Sequence, residues 1–377
     1  MPHPLIGSTR HARPIDDDDD DDDDDDEMSL FVDKHRPRTL QSCTYHPDIS
    51  KRLQSIAQSA DFPHLLVYGP SGAGKKTRVV GVLKALYGPS TDRLKIDARI
   101  FVTPSNKKLQ VNVVSSNYHL ELTPSDVGSG NDRAVIQELL KEVAQTAQVD
   151  SQAKQRFKVV VINEADALTR EAQAALRRTM ESYSANLRLI LIANSTSKII
   201  SPIRSRTLLI RVPAPTLDQV VQVLHAVAKK ESLDANQELF TRIALESRRN
   251  LRRALLMLEA VYVQHHAVDA TTPLPQPDWE VVVRQCSEEI LANHTPSQIL
   301  SVRQKLYDLL SHCIPPSLIL KTLAWNLLLK TDDSLKGQVV HWAAFYEHRI
   351  RLGSKTIFHL EAFVVKYMRL VEQYLSG

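Results

Sequence analysis

No apolar run in the sequence approaches the roughly 18 uncharged residues that a bilayer-spanning helix requires, and the N-terminus lacks the apolar core of a secretory signal. Both absences point to an intracellular protein with no membrane partner. Cysteine is scarce: Cys43, Cys286 and Cys313 lie far apart. That spacing excludes a paired disulfide framework and a four-ligand zinc cluster, and leaves reduced, buried thiols as the expectation. Disorder is excluded for most of the chain, because 377 residues at 43% hydrophobic and 24% charged suffice for two or three ordinary domains.

Acidic side chains are also sparse outside one segment. Asp16 to Glu27 supplies twelve of the 44, and residues 1–27 hold only Arg10 and Arg13 against them. Without that segment the chain carries 45 basic and 32 acidic residues, a net +13. Such a body suits a polyanionic partner such as DNA, although a merely soluble surface carries the same charge. The run of eleven aspartates repels itself, buries nothing and is predicted to be disordered. A solvated extension explains it most simply. A nucleic-acid mimic screening the basic body is a second reading, and a native start at Met28 a third.

The densest chemistry lies between Gly69 and Thr77, Gly-Pro-Ser-Gly-Ala-Gly-Lys-Lys-Thr. The apolar run His64 to Tyr68 leads into it, and a helical pattern from Lys75 to about Tyr87 follows, giving strand, loop, helix. Gly69, Pro70, Ser71, Gly72, Ala73 and Gly74 form a turn whose N–H groups face inward around a polyphosphate at the helix's positive end, within reach of Lys75. The next position ordinarily bears a hydroxyl that ligates magnesium, but Lys76 stands there, and an ammonium cannot coordinate a cation. Thr77, one residue on, is turned about 100° around the helix from that position.

Two further apolar, β-branched runs, Lys158–Ile162 and Leu189–Ala193, read as strands buried on both faces. Thr169 is expected to cap a helix running through Glu171 to about Tyr183 between them. After the first strand come Asn163 and Glu164 in place of the Asp-Glu pair of a nucleotidase. Glu164 keeps the position of a general base, while Asn163 has the shape but not the charge of the magnesium-holding aspartate. Nucleotide, ATP or ADP, is thus expected, with magnesium held weakly or not at all and no protein metal site. Asn194 ends the next strand beside the expected γ-phosphate. Arg206, in Ser205-Arg206-Thr207, is placed to reach a neighbour's γ-phosphate as an arginine finger in trans, and Arg252 to touch this chain's own nucleotide, with Arg253 the alternative.

The fold class predicted is α/β plus all-α: a P-loop parallel-sheet domain over residues 28–212 after a tail at 1–27, a small helical domain at 213–270, and an all-helical module at 271–377. The boundaries follow the prolines Pro213 and Pro215 and the Pro-rich stretch Thr271–Asp278. Beyond it, Ile299, Val302, Leu306, Leu309 and Leu310 share one helical face.

Val32-Asp33-Lys34-His35-Arg36-Pro37, the loop at Gly69, Asn163–Asp166, the helix Ala172–Glu181, Asn194 and Ser205-Arg206 together resemble the small subunits of eukaryotic replication factor C, from about Met28 onward. Phe62-Pro63-His64-Leu65-Leu66-Val67-Tyr68 leading into Gly-Lys-Lys-Thr, and His312-Cys313-Ile314-Pro315-Pro316, resemble the member of that set whose own site is degenerate. The resemblance implies an AAA+ module, lid and collar in a nuclear five-subunit spiral that opens a sliding clamp and loads it onto primer-template DNA with ATP. It implies partners in the other subunits, the clamp and DNA, and a nucleotide pocket that includes Val32, Arg36 and Pro37. It further implies poor hydrolysis at this chain's own site. Arg133 and Arg177 are the DNA-contact candidates that it suggests. Thr207 departs from the family's Ser-Arg-Cys, and Thr123-Pro124-Ser125-Asp126 is a loose version of its pattern before a DNA-tracking helix. A competent ATPase within the same loader, and a stand-alone AAA+ DNA remodelling motor, are the alternative functions.

Overall fold

Short runs of β-branched and leucine residues with apolar side chains at every position have two faces to bury, and the chain satisfies both by stacking them as the middle of a sheet. The computed structural model describes residues 29–376 except 60, 103–107, 125–130, 146–156, 185, 234–235, 266–268 and 270. The acidic segment and Ser125-Asp126 therefore lie outside the described residues.

Along the chain come α1 (Phe31–Lys34), α2 (Pro47–Gln58), β1 (Leu65–Tyr68), α3 (Lys75–Tyr87), β2 (Lys95–Val102), β3 (Lys108–Ser115), β4 (His119–Leu122), α4 (Asp132–Gln145) and β5 (Lys158–Ile162). There follow α5 (Arg170–Ser182), β6 (Leu187–Ala193), α6 (Ser201–Arg204), β7 (Leu208–Arg211), α7 (Leu217–Lys230), α8 (Gln237–Glu246) and α9 (Leu251–Gln264). The last stretch is helical: α10 (Asp278–Ala292), α11 (Pro296–Ser311), α12 (Pro316–Lys330), α13 (Asp333–Leu352) and α14 (Thr356–Ser376).

The strands form one sheet in the order β2-β3-β4-β5-β6-β1-β7. From β4 to β7 the neighbours are parallel, while β2 and β3 extend the edge antiparallel. Alternate residues of each central strand serve opposite cores. Leu66, Val160, Ile162, Leu189 and Leu191 pack with α4 and α5, whereas Leu65, Val67, Val159, Val161 and Ile190 pack with α2 and α3. Thr169 caps α5 by accepting the N–H of Ala172 at 3.2 Å. The register places Tyr68 beside Ala193 and Ile162 beside Leu191, so β1, β5 and β6 deliver their carboxyl ends to one edge. Ligands bind at that edge in such sheets.

Helices α7, α8 and α9 enclose their own core of Val220, Leu224, Leu239, Phe240, Ile243 and Leu258, against which Phe31, Val32 and Leu274 pack. The chain divides into two compact units between Leu274 and Pro275. The second is a helical bundle centred on Leu323, Leu327, Leu360, Phe363 and Tyr367, with Val302, Leu306 and Leu309 of α11 buried in it. Cys43 and Cys286 are buried, but Cys313 is exposed, contrary to the expectation of three buried thiols. It occupies the turn between α11 and α12 at a left-handed φ of 60°, which turns it outward ahead of Pro315.

His64, just before β1, is held neutral: its Nδ1 accepts the backbone N–H of Leu189 at 3.0 Å. Burial, helped by the Arg188 guanidinium, pushes its pKa down to about 4. The folded value lies below the unfolded one near 6.5, so this imidazole stabilises the fold fully above pH about 6.5 and progressively less as pH falls to about 4. Thermal melts of His64→Gln and the parent chain across that window are expected to converge as pH falls, the difference amounting to about 1–2 kcal/mol.

Candidate nucleotide-binding site

Positive backbone angles shape the loop after β1, with φ of 72° at Gly72 and 78° at Gly74. A Cβ on Gly72 would run into the Asn250 side chain, and one on Gly74 into the Tyr45 hydroxyl. These two turns therefore require glycine. Asn250 caps α9, its Oδ1 accepting the N–H of Arg253 at 3.2 Å, so the start of that helix abuts the loop.

Arg78 braces the loop from within. It is fully buried, donating to Tyr45 O at 2.7 Å and to the Ala73 and Gly74 carbonyls at 3.4 Å, with its guanidinium 4.5 Å from the Tyr45 ring centroid. The Tyr45 hydroxyl also donates to Ala73 O at 3.1 Å. The Ala73 and Gly74 carbonyls are thus pinned on this inner side, while the Gly69 N–H donates to Ala193 O at 3.3 Å and the Ala73 N–H to Pro70 O at 3.4 Å.

Lys75, the first residue of α3, donates to Gly69 O at 2.7 Å, Pro70 O at 2.9 Å and Asn194 Oδ1 at 2.9 Å. Desolvation lowers its pKa, the charge of Asp166 opposes that shift and the charge of Arg252 adds to it. Asp166 itself accepts the N–H of Asn194 at 3.3 Å, fixing the polar tip of β6. Glu164 sits at the end of β5 with a left-handed φ of 49° and lines the same cleft.

That cleft, of about 290 Å³, is bordered by Arg36, Ser71, Gly72, Gly74, Lys75, Lys76, Thr77, Asn163, Glu164, Asn194 and Arg252. An adjoining cavity of about 170 Å³ adds Val32, Pro37 and the apolar faces of Val223 and Leu255. The structure thus brings together the loop, Val32, Arg36, Pro37, Glu164, Asn194 and Arg252. Of the two arginines at the start of α9, Arg252 borders both cavities, whereas Arg253 borders neither. An apolar slot beside a basic, glycine-rich cleft at the start of a helix suits a base and polyphosphate, so the residues fit a nucleotide.

They do not fit its usual cation. The Lys76 ammonium is ion-paired with Glu121 Oε1, and the Asn163 amide donates to the same oxygen at 2.7 Å. Both positions that ordinarily offer oxygen to magnesium present nitrogen donors instead. The Thr77 hydroxyl accepts from Arg36 Nε at 3.4 Å. Among the described residues no cluster of three or more His, Cys, Asp or Glu is arranged to hold a metal.

A short N-terminal segment joins the helical subdomain to this cleft. Glu231 pairs with Lys34 at 3.0 Å and with His35, and Phe31 N donates to Glu259 at 3.2 Å. Desolvation alone would raise the Glu231 pKa, but hydrogen bonds from Lys34 and His35 outweigh it and leave the carboxyl below its ordinary value.

Three candidates lie away from the cleft. Arg206 follows α6 with its side chain 41% exposed, donating to Pro202 O at 2.9 Å and paired with Glu181 at 2.7 Å. Arg177 approaches the same Glu181 at 3.8 Å. Thr207 turns inward and donates to Ile203 O at 3.0 Å, leaving the neighbouring guanidinium outside. Arg133 is exposed in the first turn of α4. Beside it the buried Asp132 accepts from Thr169 N at 2.7 Å and Thr169 Oγ1 at 3.1 Å, binding the starts of α4 and α5 together.

Glu121, Asp132 and Arg78 escape sequence reasoning, since each resembles a solvated charge until burial is known. The signal available for Glu121 was a carboxylate between two leucines, Leu120 and Leu122.

Three family models match in succession: "DNA polymerase III, delta subunit" over residues 45–216, "RCF1/5-like, AAA+ ATPase lid domain" over 222–263, and "Replication factor C subunit 3, C-terminal domain" over 279–375. Among curated proteins the chain is 65% identical to replication factor C subunit 5 of Neurospora crassa, covering 93% of this chain and 99% of that one. It is 56% identical to replication factor C subunit 5 of Schizosaccharomyces pombe, covering 90% and 96%. It is 51% identical to replication factor C subunit 3 of Homo sapiens, covering 93% and 98%.

Proposed function

Because the chain belongs to the replication factor C subunit 3/5 family of clamp-loader subunits, with an AAA+ nucleotide-binding fold, we propose that it acts as a nucleotide-holding, weakly or non-hydrolysing member of an ATP-driven loader. In that reading residues 28–212, 213–270 and 271–377 are the AAA+, lid and collar domains. The collar joins it to the other subunits of a nuclear heteropentamer. The assembly opens a sliding clamp and sets it on primer-template DNA, whose phosphates Arg133 and Arg177 contact without reading sequence.

One observation carries the proposal: Lys75 and the glycine loop are built for a polyphosphate, while Lys76 and Asn163 donate to Glu121 where a dication would need oxygen. Bound nucleotide supplies a polyanion that the loop's N–H groups, Lys75, Arg36 and Arg252 grip, with Val32 and Pro37 against its base. The gripped nucleotide fixes the AAA+ and lid domains as a wedge. Arg206 then serves the neighbouring subunit's site, where its guanidinium offsets charge that develops during hydrolysis.

Glu164 at the cleft favours a second reading, a working ATPase at this site. Lys75→Ala in the assembled complex separates the two. Native mass measurement with identification of bound nucleotides is expected to show one nucleotide fewer in an intact heteropentamer, with total turnover falling less than about twofold. A large fall in turnover with intact assembly establishes the second reading, and a self-assembled hexamer of this chain overturns both in favour of a remodelling motor.

A further inference from the structure

The ion pair of Lys76 with Glu121 is more than a defect in a metal site. Lys76 is the second residue of α3, where the helix dipole opposes positive charge, and the first turn of α3 contains no acid to relieve it. Relief comes from Glu121 on β4, whose side chain is only 12% exposed and whose Oε1 takes both the Lys76 ammonium and the Asn163 amide. A partly buried carboxylate, a lysine and an amide thus close on each other at the place where an ordinary loop would hold its dication.

The charges agree with this arrangement. A P-loop lysine, a dication and the usual aspartate sum to a net charge of about +2. Lys75, Lys76 and the neutral Asn163 also carry +2 with no metal, which the Glu121 carboxylate beside them reduces to +1. The Lys76 side chain is 43% exposed and lines the cleft, so its flexible stem can leave Glu121 for an incoming phosphate. Asn163 stays on Glu121 and limits the repulsion between that carboxylate and the ligand.

We propose that Lys76 is a built-in cation that replaces magnesium, so that this site takes free nucleoside di- or triphosphate without a divalent ion, and that Glu121 holds the ammonium in place until the phosphate arrives. This rests on the nucleotide-holding function proposed above. It makes the loss of hydrolysis and the retention of binding two results of one substitution. The ammonium supplies counter-charge for the ground state, but it cannot take phosphate and water oxygens as ligands and organise water as a hexacoordinate ion does.

The test is calorimetric titration of the full chain with ADP, in excess magnesium and again in EDTA, with melting curves recorded for every variant. The parent chain is expected to bind within about threefold of the same affinity in both buffers. Lys76→Met is expected to lose about tenfold or more in both, as a charge-assisted contact is removed. Glu121→Gln, which keeps the lysine and frees it, is expected to bind at least as tightly as the parent and to stay insensitive to EDTA. The double variant Lys76→Thr with Asn163→Asp is expected to bind about tenfold more tightly with magnesium than without, and to take up Mn2+ detectable by its electron paramagnetic resonance. A parent affinity that collapses about tenfold in EDTA, or a folded Lys76→Met that binds like the parent, overturns the inference and leaves the nucleotide-holding function standing. No binding by the parent in either buffer sinks that function instead.

Discussion

Replacing Arg206 with alanine is expected to lower hydrolysis at the adjoining subunit's site by about a hundredfold or more, since a finger arginine in trans contributes a factor of that size or larger in other nucleotidases. The expectation follows from where the side chain is held. Its backbone N–H donates to Ile203 O at 3.0 Å, one arm of its fork donates to Pro202 O at 2.9 Å, and the other meets Glu181 at 2.7 Å. Thr207, anchored inward, keeps the turn rigid. The guanidinium is therefore fixed in direction yet partly open, which is what the proposed finger would need. Because Arg206 does not border this chain's own cleft, nucleotide retained by the variant should be unchanged. Arg206→Lys is expected to rescue little, since an ammonium lacks the planar fork. Site-resolved turnover in the assembled complex is the measurement, and unchanged turnover at every site would exclude the finger.

The second large effect is on stability. Asp132→Ala is expected to cost about 3 kcal/mol and lower the melting temperature by several degrees. Asp132 is 3% exposed, and its carboxylate accepts from Thr169 N at 2.7 Å, Thr169 Oγ1 at 3.1 Å and Arg133 N at 3.0 Å. Truncation strands these donors in a buried place, and the Thr169 hydroxyl that caps α5 loses its own anchor. Asp132→Asn preserves the shape and is expected to lose less. Chemical denaturation of the two variants beside the parent decides the matter, and equal midpoints for alanine and parent would show that the carboxylate holds nothing. If Arg133 and Arg177 touch DNA, the alanine variant, assayed where it is folded, should also bind duplex more weakly, because both helices set out from that carboxylate.

The central strands were legible in the sequence because burial on both faces writes itself as an unbroken apolar run, as in Lys158–Ile162 and the leucine-isoleucine stretch ending at Ala193. The edge was not. β2 and β3 mix charged residues with apolar ones, and Ile96 and Ile100 remain 75% and 65% exposed, so the hydrophobic signal there does not track burial. The four-residue β4 is interrupted by Glu121, the residue that Lys76 and Asn163 both meet. Arg78 follows Lys75, Lys76 and Thr77 and reads as one more solvated charge, yet it is the largest fully buried side chain among those described. The choice between Arg252 and Arg253 hung on helical phase alone, which pattern reading does not resolve to a single residue. The loop and Asn163-Glu164 were visible because their departures from the ordinary residues are chemical. What those departures build required knowing that β4 lies next to β5.

The segment from Phe31 to Pro37 also has a kinetic consequence. It grips Glu231 and Glu259 on one side and lends Val32, Arg36 and Pro37 to the cavity wall on the other. In the nucleotide-holding reading, that segment ties the cavity wall to the helical subdomain, so an outward swing of the wall has to part Lys34 and His35 from Glu231. If release of a bound nucleotide needs that swing, residence time follows the opening of this latch as well as the strength of the phosphate contacts.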